Sequence, residues 1–281
     1  MSLSRTGTAK AKDGCVISYH VYPQAGKPRL ALVHSLALDG SIWDAVVEAL
    51  AGEMEILVYD CRGHGQSEKR TGRYTAQLFA EDLAAVMDHC GWRSTLVAGC
   101  SMGGCVALAF GGAYPERAEG LGLVDTSAWW GPTAPQDWRA RAEGAAKDGL
   151  SPMVPIQLGR WFSDKFREAH PDTMQAITRV FLASDVSCYQ SSCAMLGETD
   201  LREVAQSLNS LRLPVAIIVG EEDQATPLAM SRTLHELIPH STLKIIPGGR
   251  HLTPIEFPTE VATALKDLAR RRGQGIGNRE Q

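Results

Sequence analysis

The pentapeptide Gly99-Cys100-Ser101-Met102-Gly103 constrains this chain more than any other stretch. A β-prone run at 94–98 precedes it, and a small-residue run of helical character at 102–110 follows it. That order calls for a sharp strand-to-helix turn that lifts one serine hydroxyl out of the end of a sheet. The turn forces the serine into a strained backbone conformation, and a side chain at Gly99 or Gly103 is expected to collide with the turn itself. Ser101 then stands at a helix N-terminus, where backbone dipoles favour a developing anion. A chance match in a loop would show no such flanks, so partners elsewhere in the chain decide its meaning.

The flanks belong to a longer rhythm. Strands are expected at 16–22, 30–34, 56–59, 94–98 and 120–124, with helices at 41–50, 75–90 and 102–110 between them. Apolar residues recur at helical spacing in the helices, as in Phe79, Leu83, Val86, Met87 and Cys90. Short apolar strands alternating with amphipathic helices argue for an α/β fold, a mainly parallel central sheet with helices on both faces. Ligands of such sheets bind at the carboxyl ends of the strands, where His34, Asp60, Ser101 and Asp125 fall.

The rhythm breaks from 127 to 209, a helix-rich stretch with no convincing strand. It holds four of the six tryptophans (Trp129, Trp130, Trp138 and Trp161), and prolines divide it into short pieces. It reads as an inserted helical cap between a first part of the core, 1–126, and a second part, 210–272. Its aromatics can form the cap's own core or line a cavity over the strand ends. The sheet pattern resumes with a strand at 215–219, a helix at 227–238, a strand at 242–246 and a closing helix at 259–271. Residues 273–281 are expected to be a disordered tail.

Composition removes several classes of function. Of 281 residues, 44% are hydrophobic and 21% charged, enough apolar content for a substantial core. A net charge of −4 leaves no electrostatic footprint for nucleic acid. No apolar run of about 18 residues is present to span a membrane. The stretch 1–13 is polar and lacks the apolar centre of a signal peptide, so the default expectation is a cytoplasmic location. Seven cysteines, an odd number with no Cys-x-x-Cys pair, suggest neither a disulfide framework nor a zinc site. Cys100, beside the serine, should point away from the site.

A serine hydroxyl needs a base, and the base needs a carboxylate to fix its tautomer. In sheets of this type the order is Ser, then Asp or Glu, then His. Asp223 follows the 215–219 strand, and His251 follows the 242–246 strand, both at the edge that carries Ser101. Glu221, Glu222 and Asp125 are alternative acids, and Asp223 could instead be an ordinary helix cap. An oxyanion hole would take one backbone N–H from Met102 and the other from the loop after the 30–34 strand, with Leu36 the natural donor. His34 fits a role as a prop for that loop.

With these residues in view, the chain resembles the α/β-hydrolase superfamily over nearly its full length. Within it the chain is similar to 3-oxoadipate enol-lactonases of aromatic degradation. The likeness is carried by His34-Ser35-Leu36 through Trp43-Asp44, by Tyr59-Asp60-Cys61-Arg62-Gly63-His64-Gly65 and by Gly99 through Gly104. The cap run Arg160-Trp161-Phe162-Ser163, Asp200-Leu201-Arg202, Asp223 with Thr226-Pro227, and His251-Leu252 with Glu256 complete it. Two positions depart from the enol-lactonase pattern: His34-Ser35 stands where Asn-Ser is usual, and Cys100 where Leu is common.

The resemblance implies a serine hydrolase of a small carboxylate-bearing lactone or ester, acting through an acyl-enzyme on Ser101 without metal or organic cofactor. It calls for a cation in the cap. Arg160 is the candidate, with Trp161 as a wall, although Arg160 would fit equally well as a solvated surface residue. A carboxylesterase, a perhydrolase or a carbon–carbon bond hydrolase could use the same three residues, and a slow-turnover ligand receptor could keep them.

Overall fold

The computed structural model describes residues 4–272, so the tail at 273–281 lies outside the described residues. Eight strands form one sheet: β1 (Arg5–Lys10), β2 (Val16–Tyr22), β3 (Arg29–Val33), β4 (Glu55–Tyr59), β5 (Thr95–Cys100), β6 (Ala118–Val124), β7 (Val215–Gly220) and β8 (Thr242–Ile246). Their spatial order is β1-β2-β4-β3-β5-β6-β7-β8. From β4 onward neighbours pair in parallel, while β1 with β2 and β2 with β4 are antiparallel. The sheet is therefore mainly parallel, and its strands β5 and β7 are buried at every residue.

β1 is absent from the sequence reading. Its residues, Arg-Thr-Gly-Thr-Ala-Lys, are mostly exposed and polar, with no apolar alternation to betray a strand. It forms because main-chain pairing with β2 at the sheet edge needs no apolar face.

The helices of the core are α1 (Asp44–Ala49), α2 (Ala76–His89) and α3 (Met102–Ala113) before the insertion. Thr75 starts α2, its hydroxyl accepting the Leu78 N–H at 3.0 Å. The insertion between β6 and β7 carries α4 (Ala134–Asp148), α5 (Val154–Trp161), α6 (Asp164–Ala169), α7 (Pro171–Leu182), α8 (Val186–Glu198) and α9 (Arg202–Leu211). Its only strand-like contact is one isolated bridge, Trp129 to Asp200. After it come α10 (Leu228–Leu237), the single turn α11 (Thr253–Glu256) and α12 (Pro258–Arg271).

Two layers sandwich the sheet. On β6, a Cβ at Gly122 would meet Leu265 of α12, whereas the adjacent Leu121 packs on α3. Successive residues of a strand face opposite ways, so α3 and α12 cover opposite faces. Within the insertion, α4 and α8 lie along one another, while α9 packs on α3 and α10. By its contacts α9 thus belongs to the helical layer of the sheet, although the 127–209 division assigns most of it to the insertion. Among the described residues no helix is long and apolar enough to cross a membrane.

Candidate active site

β5 delivers Ser101. The residue sits at φ 55°, ψ −114°, and α3 begins immediately after it. A residue with a Cβ occupies that region only where its surroundings impose it. Here the Ser101 N–H donates to the Val124 carbonyl at 2.9 Å, and its carbonyl accepts the Thr126 hydroxyl at 2.6 Å. A Cβ at Gly99 would lie 1.9 Å from the Gly103 carbonyl oxygen, inside the turn. One at Gly103 would lie 2.3 Å from the Val33 carbonyl oxygen. The expected Gly103 collision is therefore with β3 rather than with the turn, because α3 starts pressed against the neighbouring strand.

The loops after β7 and β8 bring the two partners. His251 Nε2 lies 3.0 Å from Ser101 Oγ, and His251 Nδ1 lies 2.8 Å from Asp223 Oδ2. An ionised carboxylate only accepts, so Nδ1 carries the proton and Nε2 offers its lone pair to the serine. Asp223 is fixed in turn. Its Oδ1 accepts the N–H groups of Ala225 at 2.7 Å and Thr226 at 2.9 Å, and its Oδ2 accepts the Thr226 hydroxyl at 2.8 Å. Of the alternative acids, Asp125 is bonded to Gly220 and Thr253 instead.

All three groups are buried. Burial pushes the Asp223 carboxyl up, but the His251 charge and the hydrogen bonds of His251 and Thr226 hold it below the usual carboxylate range. Burial pushes the His251 imidazole down. The charge and hydrogen bond of Asp223 outweigh this, Asp125 adds to them and Arg141 opposes them, so His251 ends above its ordinary value. Cys100 is fully buried with its thiol toward the His251 carbonyl oxygen at 3.9 Å, and burial raises it well above an ordinary thiol.

The loop after β3 stands beside the serine. Met102 opens α3, so its N–H has no partner in the helix ladder. The Leu36 N–H bonds to no backbone acceptor among the described residues. His34 Nδ1 donates to the Ser35 carbonyl at 2.7 Å, and His34 Nε2 accepts the Cys61 N–H at 2.8 Å. That ties the loop to the end of β4.

The insertion closes over these groups. A cavity of about 570 Å³ is lined by Ser101, His251 and Leu36, and by Trp130, Arg141 and Trp161 of the insertion. Leu252, next to His251, donates its N–H to the Trp161 carbonyl at 3.1 Å. Arg250 reaches the Gly159 and Phe162 carbonyls at 2.7 and 2.9 Å. Ser184 of the insertion donates to the Ala37 carbonyl at 3.1 Å. Among the described residues no cluster of three or more His, Cys, Asp or Glu side chains could hold a metal ion.

A model of the α/β-hydrolase fold matches residues 28–258. The chain belongs to the α/β-hydrolase family. This α/β-hydrolase is 29% identical over 264 residues to 3-oxoadipate enol-lactonase 2 of Acinetobacter baylyi, a match that covers 94% of this chain and 96% of that one. It is similar in structure to the enol-lactonase from Burkholderia xenovorans LB400, with a TM-score of 0.87 and 29% identity over 93% of this chain and 99% of that one. It is also similar to a malate-bound thermophilic esterase from Thermogutta terrifontis, with a TM-score of 0.86 and 27% identity over 95% and 99% of the two chains. Family, fold and relatives make the chain a hydrolase enzyme.

Arg160 and Trp161, singled out in the sequence, both line the cavity of this α/β-hydrolase, but in different states. Trp161 is buried, edge-on to Phe181 with ring centroids 5.5 Å apart. Arg160 is exposed. A cation that the sequence analysis did not single out, Arg141 of α4, also lines the cavity. Its Nε donates to the Tyr189 hydroxyl at 2.5 Å, and its guanidinium lies 5.1 Å from the Trp138 ring centroid and 5.8 Å from that of Tyr189. It forms no ion pair with a carboxylate among the described residues. Trp138 and Arg141 share one helix face by their spacing, a signal the sequence does carry. Tyr189, which holds the guanidinium in place, comes from α8 and could be matched to it only in the folded chain.

Proposed function

We propose that this hydrolase cleaves a small lactone or ester bearing a free carboxylate, as an enol-lactonase-like enzyme that passes through an acyl-enzyme on Ser101. The observation that carries the reading is the chain of hydrogen bonds from Ser101 Oγ through the His251 ring to Asp223. Ser101 Oγ attacks the carbonyl carbon, and its proton passes to His251 Nε2. The N–H groups of Leu36 and Met102 receive the oxyanion. The acyl–oxygen bond then breaks, and His251 returns the proton to the leaving oxygen. An enol released in this way tautomerises to a ketone, which opposes reclosure. Water attacks the acyl carbon as it gives a proton to His251 Nε2, the bond to Ser101 Oγ breaks, and His251 returns the proton to Ser101 as the acid leaves.

Arg141 supports the carboxylate in the substrate. A planar guanidinium with unmatched charge, pre-oriented by Tyr189 and Trp138, suits bidentate recognition of a carboxylate. The malate-bound esterase is a relative that holds a small dicarboxylate. The helices between β6 and β7 act in this reading as a cap that chooses the substrate. The seven free thiols suit a reducing compartment such as the cytoplasm. A second reading, a carboxylesterase of uncharged chains, draws on the apolar part of the cavity, where Trp130, Trp138, Met153 and Ile156 lie.

The test is a direct assay with 3-oxoadipate enol-lactone beside p-nitrophenyl esters of short acids. Preference for the lactone, lost in Ser101→Ala, supports the proposal. Preference for the neutral esters favours the carboxylesterase. Equal slow turnover by wild type and Ser101→Ala overturns both.

A further inference from the structure

The mechanism above leaves the buried carboxylate of Asp125, at the strand ends, without a task. Asp125 directly follows β6, has no exposed surface and is held at φ 45°. Its Oδ1 accepts the N–H of Gly220, the last residue of β7, at 3.1 Å. Its Oδ2 accepts the Thr253 N–H at 3.0 Å and the Thr253 hydroxyl at 2.6 Å. One side chain therefore ties the start of the Asp223 turn to the residue that follows His251 and Leu252. Backbone bonds draw the same two loops together, from Glu221 N–H to the Ile246 carbonyl at 2.9 Å and from Glu222 N–H to the Gly249 carbonyl at 2.8 Å.

A neutral amide could make part of this tie at a lower desolvation cost. Buried carboxylates are ordinarily matched by a cation, yet Asp125 forms no ion pair with Lys or Arg among the described residues. The positive charge that can arise nearby is the His251 imidazolium, which forms when Ser101 gives up its proton. We propose that Asp125 is a positioning residue for the general base: it pins the His251 loop to the Asp223 turn, and its charge joins that of Asp223 in stabilising the imidazolium. The inference rests on the reading of His251 as the base. Asp125 neither gives nor takes a proton in the reaction.

The electrostatics run in that direction. Burial and the Asp223 charge raise the Asp125 carboxyl above the usual carboxylate range, and the His251 charge and the Thr253 bonds oppose that rise. All three hydrogen bonds at its oxygens are accepted ones, an arrangement that fits the carboxylate. An ionised Asp125 and a protonated His251 thus support one another. Of the charged groups acting on His251, Asp223 and Asp125 favour the imidazolium and Arg141 opposes it.

The variant Asp125→Asn keeps the shape and removes the charge. Its pH profile of kcat/KM with p-nitrophenyl acetate is compared with wild type, together with the titration of the downfield Nδ1 proton of His251 by NMR. Both midpoints are expected to move to lower pH by about 1 unit, with kcat reduced. Thr253→Val removes one donor to Asp125 and leaves the backbone N–H, so it should move both midpoints the same way by less. It serves as the test if thermal unfolding shows Asp125→Asn to be unfolded. Unmoved midpoints in a folded variant overturn the proposal even where the rate falls, because a merely structural tie lowers the rate without displacing the titration. Labelling of Ser101 by a fluorophosphonate separates the two readings. Failure to label wild type strikes the serine mechanism itself, whereas labelling with unmoved midpoints strikes Asp125 alone.

Discussion

Ser101 Oγ and His251 Nε2 stand 3.0 Å apart although 150 positions separate them in the chain. That distance exists because β5 and β8 end on the same edge of one sheet, with β6 and β7 between them. If the pair is the nucleophile and base proposed above, Ser101→Ala lowers kcat by about 10⁴-fold or more. Its thermal unfolding midpoint stays near that of wild type, since the hydroxyl has little part in packing. Single-turnover assays with a chromogenic ester measure the first, and calorimetry checks the second.

The proposed base must be neutral to accept a proton. His251 is raised above its ordinary value, so the acid limb of kcat/KM should have its midpoint above 6.5. Asp223→Asn removes the group that raises it most, and the limb should move to lower pH while the rate falls by about 10⁴-fold. The stability linked to His251 has a matching sign. It is fully present below the unfolded pKa of about 6.5 and is lost as pH rises through the folded value. Initial-rate profiles and urea titrations across that window check both.

Arg141 and Arg160 make opposite predictions for specificity. Arg141→Gln should raise KM for a carboxylate-bearing lactone by about 10- to 100-fold, the range of a lost charge-assisted contact. It should change KM for p-nitrophenyl butyrate far less. Arg160→Gln should leave both near wild type, because an exposed side chain with no ion pair among the described residues gives up little on removal. Steady-state kinetics on both substrates decide between the two arginines.

Gly103→Ala should destabilise the fold by more than about 3 kcal/mol, at the severe end of single substitutions. The new Cβ would meet the Val33 and His34 carbonyl oxygens at 2.3 and 2.7 Å, and backbone atoms on neighbouring elements cannot swing aside. Urea unfolding of the variant measures the loss.

A buried ion pair between the loop after β4 and α2 gives a stability prediction independent of chemistry. Arg62 meets both carboxylate oxygens of Asp82 at 2.6 Å and reaches Asp13 at 2.8 Å. Arg62 and Asp82 have side-chain exposures of only 3% and 2%. Asp82→Ala removes the buried partner and leaves the guanidinium only the partly exposed Asp13, which should cost about 3 kcal/mol. The measurement is again the unfolding free energy, with secondary structure checked by circular dichroism.

The parts of the site that lie in local turns were legible from the chain alone. Gly99 announces its turn because it answers a short-range clash with Gly103, and Asp223 and His251 announce themselves by following apolar strands. Arg141 was not legible in the same way. Arg139, Arg141 and Arg160 look alike in sequence, and only the packing of α4 on α8 seats one of them against Tyr189. Asp125 could be read only as a spare acid, because its partners Gly220 and Thr253 lie 95 and 128 positions away.

The sequence by itself determined the alternation of apolar strands and amphipathic helices, and with it a mainly parallel sheet carrying a strained serine at one strand end. It could do so because burial periodicity and turn sterics act over a few residues. Only the tertiary structure decided which cavity arginine is held by Tyr189, which carboxylate meets His251 and what Gly103 touches. Those are properties of side chains converging from distant elements, and their relative placement exists only once the sheet and the insertion have packed.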